Sequence, residues 1–204
     1  MIKAVLFDLG RVIVPFDFQR AYAKFEAVSG IRAAEVPGLL ARTDLVTRFE
    51  SGEIEPGDFV REISGHLKLK IGDADFREIW SSIFLPVPLI PEAMLRGIAR
   101  NYRLVLVSNT NAIHFEFILE NYPLLRHFHA LVLSYEAGAM KPLPPIYRKA
   151  IEAAGCRPEE CFFTDDIEAY VEGARAEGMD AVRFQSAAQI ETELRQRGVK
   201  WDGE

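Results

Sequence analysis

Asp8, Ser108-Asn109, Lys141 and Asp165-Asp166 are the side chains of this sequence whose types and placement allow joint chemistry. Asp8 closes the apolar run Ile2-Lys3-Ala4-Val5-Leu6-Phe7 and is followed at once by Leu9-Gly10. Ser108 and Asp165 also follow β-like runs directly. If those runs are parallel neighbours, their ends converge on one sheet edge, where open α/β sheets place their ligands. Two or three carboxylates there cannot all ionise without compensation, because close like charges raise one another's pKa. A bound Mg²⁺ resolves the conflict, since it favours carboxylate and carbonyl oxygens and keeps waters for a phosphate. Lys141 and the small hydroxyl of Ser108 would then hold phosphoryl oxygens. Asp8 would attack phosphorus and form an aspartyl phosphate. Taken singly, each group has an ordinary role: a turn or helix cap for Asp8, Ser108 or the Asp165-Asp166 pair, a solvated surface charge for Lys141. Their order on one strand pattern is what favours the joint reading. One position breaks it: Gly10 stands where a second acid would be expected.

The elements that must position these residues are legible as alternating strands and helices. Strand-like runs fall at 2–7, 104–107, 130–133, 161–164 and 181–184. Helical periodicity falls at 91–101, 111–119, 144–154 and 167–177, with Gly178 placed as a stop. This alternation predicts a Rossmann-like α/β core, a parallel sheet with helices on both faces. Residues 16–88 break the rhythm with no convincing strand. Helical patterns at 18–28, 36–42, 45–49, 56–66 and 73–84 are punctuated by Gly30, Gly52 and Gly72. The expected organisation is therefore a core of 1–15 and 89–204 carrying an inserted α-helical cap at 16–88. The stretch after about Glu191 reads as a charged tail whose end, 200–204, frays.

Composition narrows the function classes. A chain of 204 residues, 49% hydrophobic, can bury a real core. Its net charge of −6 gives no basic footprint, which argues against a nucleic-acid partner and requires any anion site to be local. Cys156 and Cys161, flanking Arg157–Glu160, read as free thiols and match neither a disulfide framework nor a zinc site. Met1-Ile2-Lys3 leads straight into a strand, and no apolar stretch reaches membrane-spanning length. The expectation is a soluble cytoplasmic protein with no membrane association.

Over about residues 1–185 the sequence resembles the haloacid dehalogenase superfamily of hydrolases. Phe7-Asp8-Leu9-Gly10-Arg11-Val12-Ile13 resembles its first motif and Val107-Ser108-Asn109-Thr110 its second. Gly138-Ala139-Met140-Lys141-Pro142 resembles the third, and Phe162-Phe163-Thr164-Asp165-Asp166 the fourth. The insert is similar to the helical cap this family places after its first motif. Within the family, Asp8-Leu9-Gly10, Ser108–Asn111 and Asp165-Asp166 are most similar to a bacterial branch acting on α-D-glucose 1-phosphate and to the phosphatase domain of epoxide hydrolases. The resemblance implies Asp8 as nucleophile and Mg²⁺ ligand, with the Gly10 carbonyl and Asp166 as further ligands. It implies Ser108 and Asn109 as phosphate and substrate contacts, Lys141 as a bridge between nucleophile and phosphate, and Asp165 as a supporting acid. The implied activity is Mg²⁺-dependent hydrolysis of a small phosphorylated metabolite.

The glycine at position 10 departs from most phosphatases of the family, which carry an acid there to protonate the leaving oxygen. Such help is typically worth ~10²–10⁴-fold. One reading is an ester that leaves easily, such as a sugar 1-phosphate. A second is attack on carbon, as in 2-haloacid dehalogenation, which has no use for the Asp165-Asp166 pair. A third is a phosphometabolite-binding protein without turnover. A receiver domain of signalling proteins shares these residue types, but its acid pair comes first in the chain and it has no place for the insert. Asp17 is expected to cap the first helix of the insert. Arg42, Arg48, Glu50 and Trp80 are expected to be solvated or packed, and His114 to lie on a helix surface.

Overall fold

A computed structural model describes residues 1–201. Its sheet has five parallel strands, β1 (Ala4–Phe7), β2 (Arg103–Ser108), β3 (Ala130–Leu133), β4 (Cys161–Asp165) and β5 (Asp180–Arg183), in the order β3-β2-β1-β4-β5. The chain runs outward from β1 through β2 to β3, then returns to the other side of β1. The reversal between β1 and β4 is the switch point at which such sheets bind ligands.

β1 is a continuous apolar run because both of its faces are covered. Val5 and Phe7 enter one hydrophobic cluster with Leu104, Leu106 and Phe162. Ala4 and Leu6 enter the opposite cluster with Val105, Val107 and Phe163. This is the period-2 alternation of a strand buried on both sides.

Between β1 and β2 come α1 (Phe18–Ser29), α2 (Val36–Ala41), α3 (Leu45–Glu50), α4 (Pro56–His66) and α5 (Asp73–Ser81), then α6 (Glu92–Ala99). The first five build a core of their own from Phe25, Phe49, Phe59, Ile63, Phe76 and Trp80. Phe49 stacks on Phe59 with ring centroids 4.2 Å apart. Asp17 caps α1 as expected, accepting the Gln19 amide at 3.0 Å. The chain leaves the sheet and returns to it as a hydrogen-bonded pair: Asp17 N donates to Ile83 O, and Leu85 N to Pro15 O. Two covalent crossings thus act as one tether.

The remaining helices are α7 (Ala112–Asn121), the single turn α8 (Ser134–Ala137), α9 (Pro144–Ala154), α10 (Glu168–Ala176) and α11 (Ala187–Gln196). The last corrects the expectation of a charged tail. Ser186 caps it through the Gln189 amide, and Ile190 and Leu194, four apart, are buried against the sheet. Val199 and Trp201 are buried as well, Trp201 under the Arg195 guanidinium, so the chain does not fray at 200–201. The expected fraying of 202–204 lies outside the described residues. Among the described residues no helix is long and apolar enough to cross a membrane.

Gly52 seats the insert on the core. It holds φ +76°, and a Cβ there would stand 2.0 Å from the backbone oxygen of Tyr135 in α8. Gly52→Ala combines a left-handed strain with a backbone collision. It is expected to cost about 1–3 kcal/mol, read as a fall in thermal unfolding temperature.

Candidate functional site

Alternation decides which side chains meet at the carboxyl edge. Asp8 continues the face of Ala4 and Leu6, and Asp165 continues that of Cys161 and Phe163. Both therefore turn to the side from which the 138–142 loop approaches. There Lys141 Nζ donates to Asp8 Oδ1 at 2.6 Å, to Asp165 Oδ2 at 2.5 Å and to Val107 O at 3.0 Å. All three side chains are buried. An ammonium has three protons, and here each has an acceptor.

The loop is held at both of its functional groups. Asn109 Oδ1 accepts the Lys141 amide at 2.8 Å, and Asn109 Nδ2 donates to the Lys141 carbonyl at 3.0 Å. Expected as a substrate contact, Asn109 thus also braces the lysine. Tyr170, which the sequence did not single out, stands near both: its hydroxyl lies 3.4 Å from Asn109 Nδ2 and its ring 5.2 Å from Lys141 Nζ. Behind the loop, Tyr147 donates its hydroxyl to Tyr170 O at 2.7 Å. Gly173 allows this packing, because a Cβ there would meet that hydroxyl at 2.7 Å and Pro142 O at 3.0 Å.

Charges do not balance within this cluster. Asp8, Asp165 and Asp166 each place a carboxylate oxygen within 4.8 Å of the others. Desolvation pushes Asp8 up to about 7 against the pull of Lys141, with Asp165 adding to the rise. Burial opposes the Lys141 charge, but Asp8 and Asp165 outweigh it and hold the ammonium above the usual lysine range. Asp166 is raised by desolvation and by Asp165, with Arg11 opposing. One lysine cannot neutralise three acids. The deficit and the all-oxygen donor set fit a hard divalent cation.

Ser108 ends β2 buried, its hydroxyl making only a 3.4 Å contact to Asn109 O. Next to it, Thr110 is pinned by Ser134, whose Oγ accepts the Thr110 amide and donates to its carbonyl, both at 3.0 Å. The space over Gly10 is taken by Phe16, whose ring edge would lie 2.8 Å from a Cβ at position 10. Arg11, also missed in the sequence, follows with φ +56° and lays its guanidinium 4.8 Å from the Phe16 ring. A non-glycine residue in that conformation is uncommon and concentrates at functional sites.

Above the edge a cavity of about 430 Å³ opens between core and insert, with Gly10, Ser108 and Asn109 on its floor. Glu50 and Trp80 line it, whereas Arg42 is exposed and Arg48 faces Asp44 and Glu53, at 3.7 and 3.8 Å. His114 corrects the expectation of a surface residue: it is buried in the same wall, stacked on Trp80 at 5.3 Å and edge-on to Phe84 at 5.0 Å. Its Nε2 lies 3.0 Å from Trp80 O and its Nδ1 3.1 Å from Asn111 Nδ2, which assigns the neutral Nε2–H tautomer. The signal that would have found it is its position three residues after Asn111, which caps α7 through the His114 amide at 3.0 Å.

Residues 2–178 match the family of haloacid dehalogenase-like hydrolases. A D-ribitol-5-phosphate phosphatase of Bacteroides thetaiotaomicron is 26% identical over 200 residues, 95% of this chain and 97% of that one. A phosphoserine phosphatase of Thermus thermophilus is 30% identical over 199 residues, 88% of this chain and 80% of the relative. The crystal structure of a family enzyme of Bacteroides thetaiotaomicron, in complex with magnesium and inorganic phosphate, superposes with a TM-score of 0.83 at 27% identity. The match covers 91% of this chain and 96% of that one.

The buried imidazole makes stability depend on pH. Desolvation lowers His114 to about 4, the Trp80 carbonyl opposing. The unfolded chain takes up a proton near 6.5 that the folded chain refuses until about 4. Its contribution is complete above about pH 6.5 and is lost as pH falls toward 4. The loss is of order 2–3 kcal/mol. Urea midpoints measured from pH 7 to 4 are expected to fall less steeply in His114→Gln than in the parent chain.

Proposed function

The chain belongs to the haloacid dehalogenase-like hydrolases, and from that membership we propose that it is a Mg²⁺-dependent phosphatase of small phosphorylated metabolites in the cytoplasm. The observation that carries the reading is the ammonium of Lys141 bonded at once to Asp8 and Asp165, with Asp166 beside them at the sheet's switch point. The phosphatase names of two relatives and the magnesium and phosphate in a similar crystal structure support it.

In this reading Asp8 is the nucleophile. Its Oδ1 is engaged by Lys141, so attack on phosphorus falls to its second oxygen. The P–O bond to the alcohol breaks as the bond to Asp8 forms, giving an aspartyl phosphate that water then hydrolyses. Lys141 stabilises the charge on the phosphoryl oxygens, and Asp165 keeps its ammonium aimed. Ser108, whose hydroxyl has no strong partner, binds a phosphoryl oxygen, and Asn109 contacts the substrate while fixing the loop. Asp8, the Gly10 carbonyl and Asp166 would hold Mg²⁺, which supplies positive charge to keep Asp8 ionised and to polarise the phosphate. Residues 16–88 act as a cap, excluding water and shaping the cavity. No acid stands at position 10, so esters with a leaving oxygen that needs little protonation, a sugar 1-phosphate such as glucose 1-phosphate among them, belong in the screen. Attack on carbon in a haloacid would leave Asp166 without a task.

Phosphate release from small monoesters is expected to require Mg²⁺, to stop on chelation and to return with added metal. Asp8→Asn is expected to lower the rate by about 10³-fold or more, as loss of a nucleophile does. Halide release from 2-haloacids that survives chelation would overturn the assignment.

A further inference from the structure

The walls of the cavity above Ser108 specify a kind of alcohol. They are mostly apolar, with Phe16, Tyr22, Leu40, Val46, Trp80 and Phe84 prominent. Of the polar groups among them, the Thr43 hydroxyl already donates to Leu40 O and both His114 nitrogens are engaged, while Thr47 also lines the space. Among the described residues lining it, Glu50 is the single charged side chain, and neither lysine nor arginine faces the space. A second phosphate or a carboxylate on the substrate would therefore meet no counter-charge there. A polyol would bury more hydroxyls than the few polar groups of this mostly apolar wall can meet, and unpaired buried polar groups are costly. Gly10 extends the same character to the floor, because the Phe16 ring occupies the space in which a side chain at that position would present polar atoms.

Resting on the phosphatase reading above, we propose that the cavity selects phosphate monoesters of a predominantly apolar alcohol, a medium alkyl chain or one ring, whose single polar group meets Glu50. Glu50 ends α3 on the cavity wall. Desolvation alone raises its carboxyl to about 7. Near neutrality it therefore donates or accepts a hydrogen bond without a fixed full charge, which suits a hydroxyl better than an ammonium. A cavity of about 430 Å³ is large enough for such a body beyond the phosphate.

The test is a homologous series on the Mg²⁺-loaded protein: ethyl, butyl and hexyl phosphate beside glycerol 3-phosphate, ribitol 5-phosphate and glucose 1-phosphate. Burial predicts kcat/KM rising about fourfold per methylene until the cavity is full. Hexyl phosphate is then expected to exceed all three polyol esters. Affinity for ethyl-, butyl- and hexylphosphonate, measured by calorimetry, reads the cavity independently of turnover. Val46→Asn is expected to flatten both slopes. A flat alkyl series, faster turnover of the polyol esters, or slopes untouched by Val46→Asn would overturn the inference even in an active phosphatase. No phosphate release from any ester together with a steep phosphonate series would overturn the phosphatase reading and leave the cavity's selectivity standing.

Discussion

The ammonium of Lys141, held between two buried carboxylates and a strand carbonyl, is the constraint around which the rest of this molecule is arranged. A buried charge is tolerated only when paired and fully hydrogen-bonded. Meeting that condition requires β1 and β4 side by side, so that Asp8 and Asp165 point the same way. It requires β2 on the other side of β1 to supply the Val107 carbonyl, and a loop that enters from the correct face. Asn109, Tyr147, Tyr170 and Gly173 all serve to keep that loop in place. The sheet order, the register and the small residue in α10 are thus parts of one solution.

That solution is deliberately incomplete in charge. A site optimised only for stability would match one lysine with one acid. Here three acids share it, and the strain shows as carboxyl groups shifted upward at Asp8 and Asp166. The excess is affordable because the surrounding sheet is well packed on both faces. It is useful because a cation and a phosphoryl group would enter a site already arranged for them, with little reorganisation.

Much of this was readable in the sequence, for reasons that differ by residue. β1 was visible because a strand buried on both faces must be apolar throughout, and Asp8 because a carboxylate closing such a run is conspicuous. The helices of the insert declared themselves by apolar spacing and by glycine stops at Gly30 and Gly52. α11 was missed because only Ile190 and Leu194 mark its buried face among charged and amide neighbours. His114 and Tyr170 were missed as site residues because their roles come from contacts across tens of positions, His114 with Trp80 and Tyr170 with Asn109. Arg11 and Phe16 were missed because a left-handed turn and a ring folded back over Gly10 leave no mark in apolar spacing. Local spacing carries no record of such pairings. The double role of Asn109 was hidden for the same reason.

Phe16 and Gly10 carry a consequence for how this chain can change over generations. Most phosphatases of the family keep an acid where Gly10 lies, so a substitution to aspartate looks like a short route to a broader enzyme. The Phe16 ring blocks it, and that ring is itself fixed by edge contacts to Phe18 and Phe84 and by the Arg11 guanidinium. Aspartate at position 10 meets a collision unless Phe16 has already shrunk. A smaller residue at position 16, arriving first, opens a hole between core and insert with no acid to benefit from it. The effect of a side chain at position 10 therefore depends on the residue at position 16, and the two positions are expected to change together rather than singly.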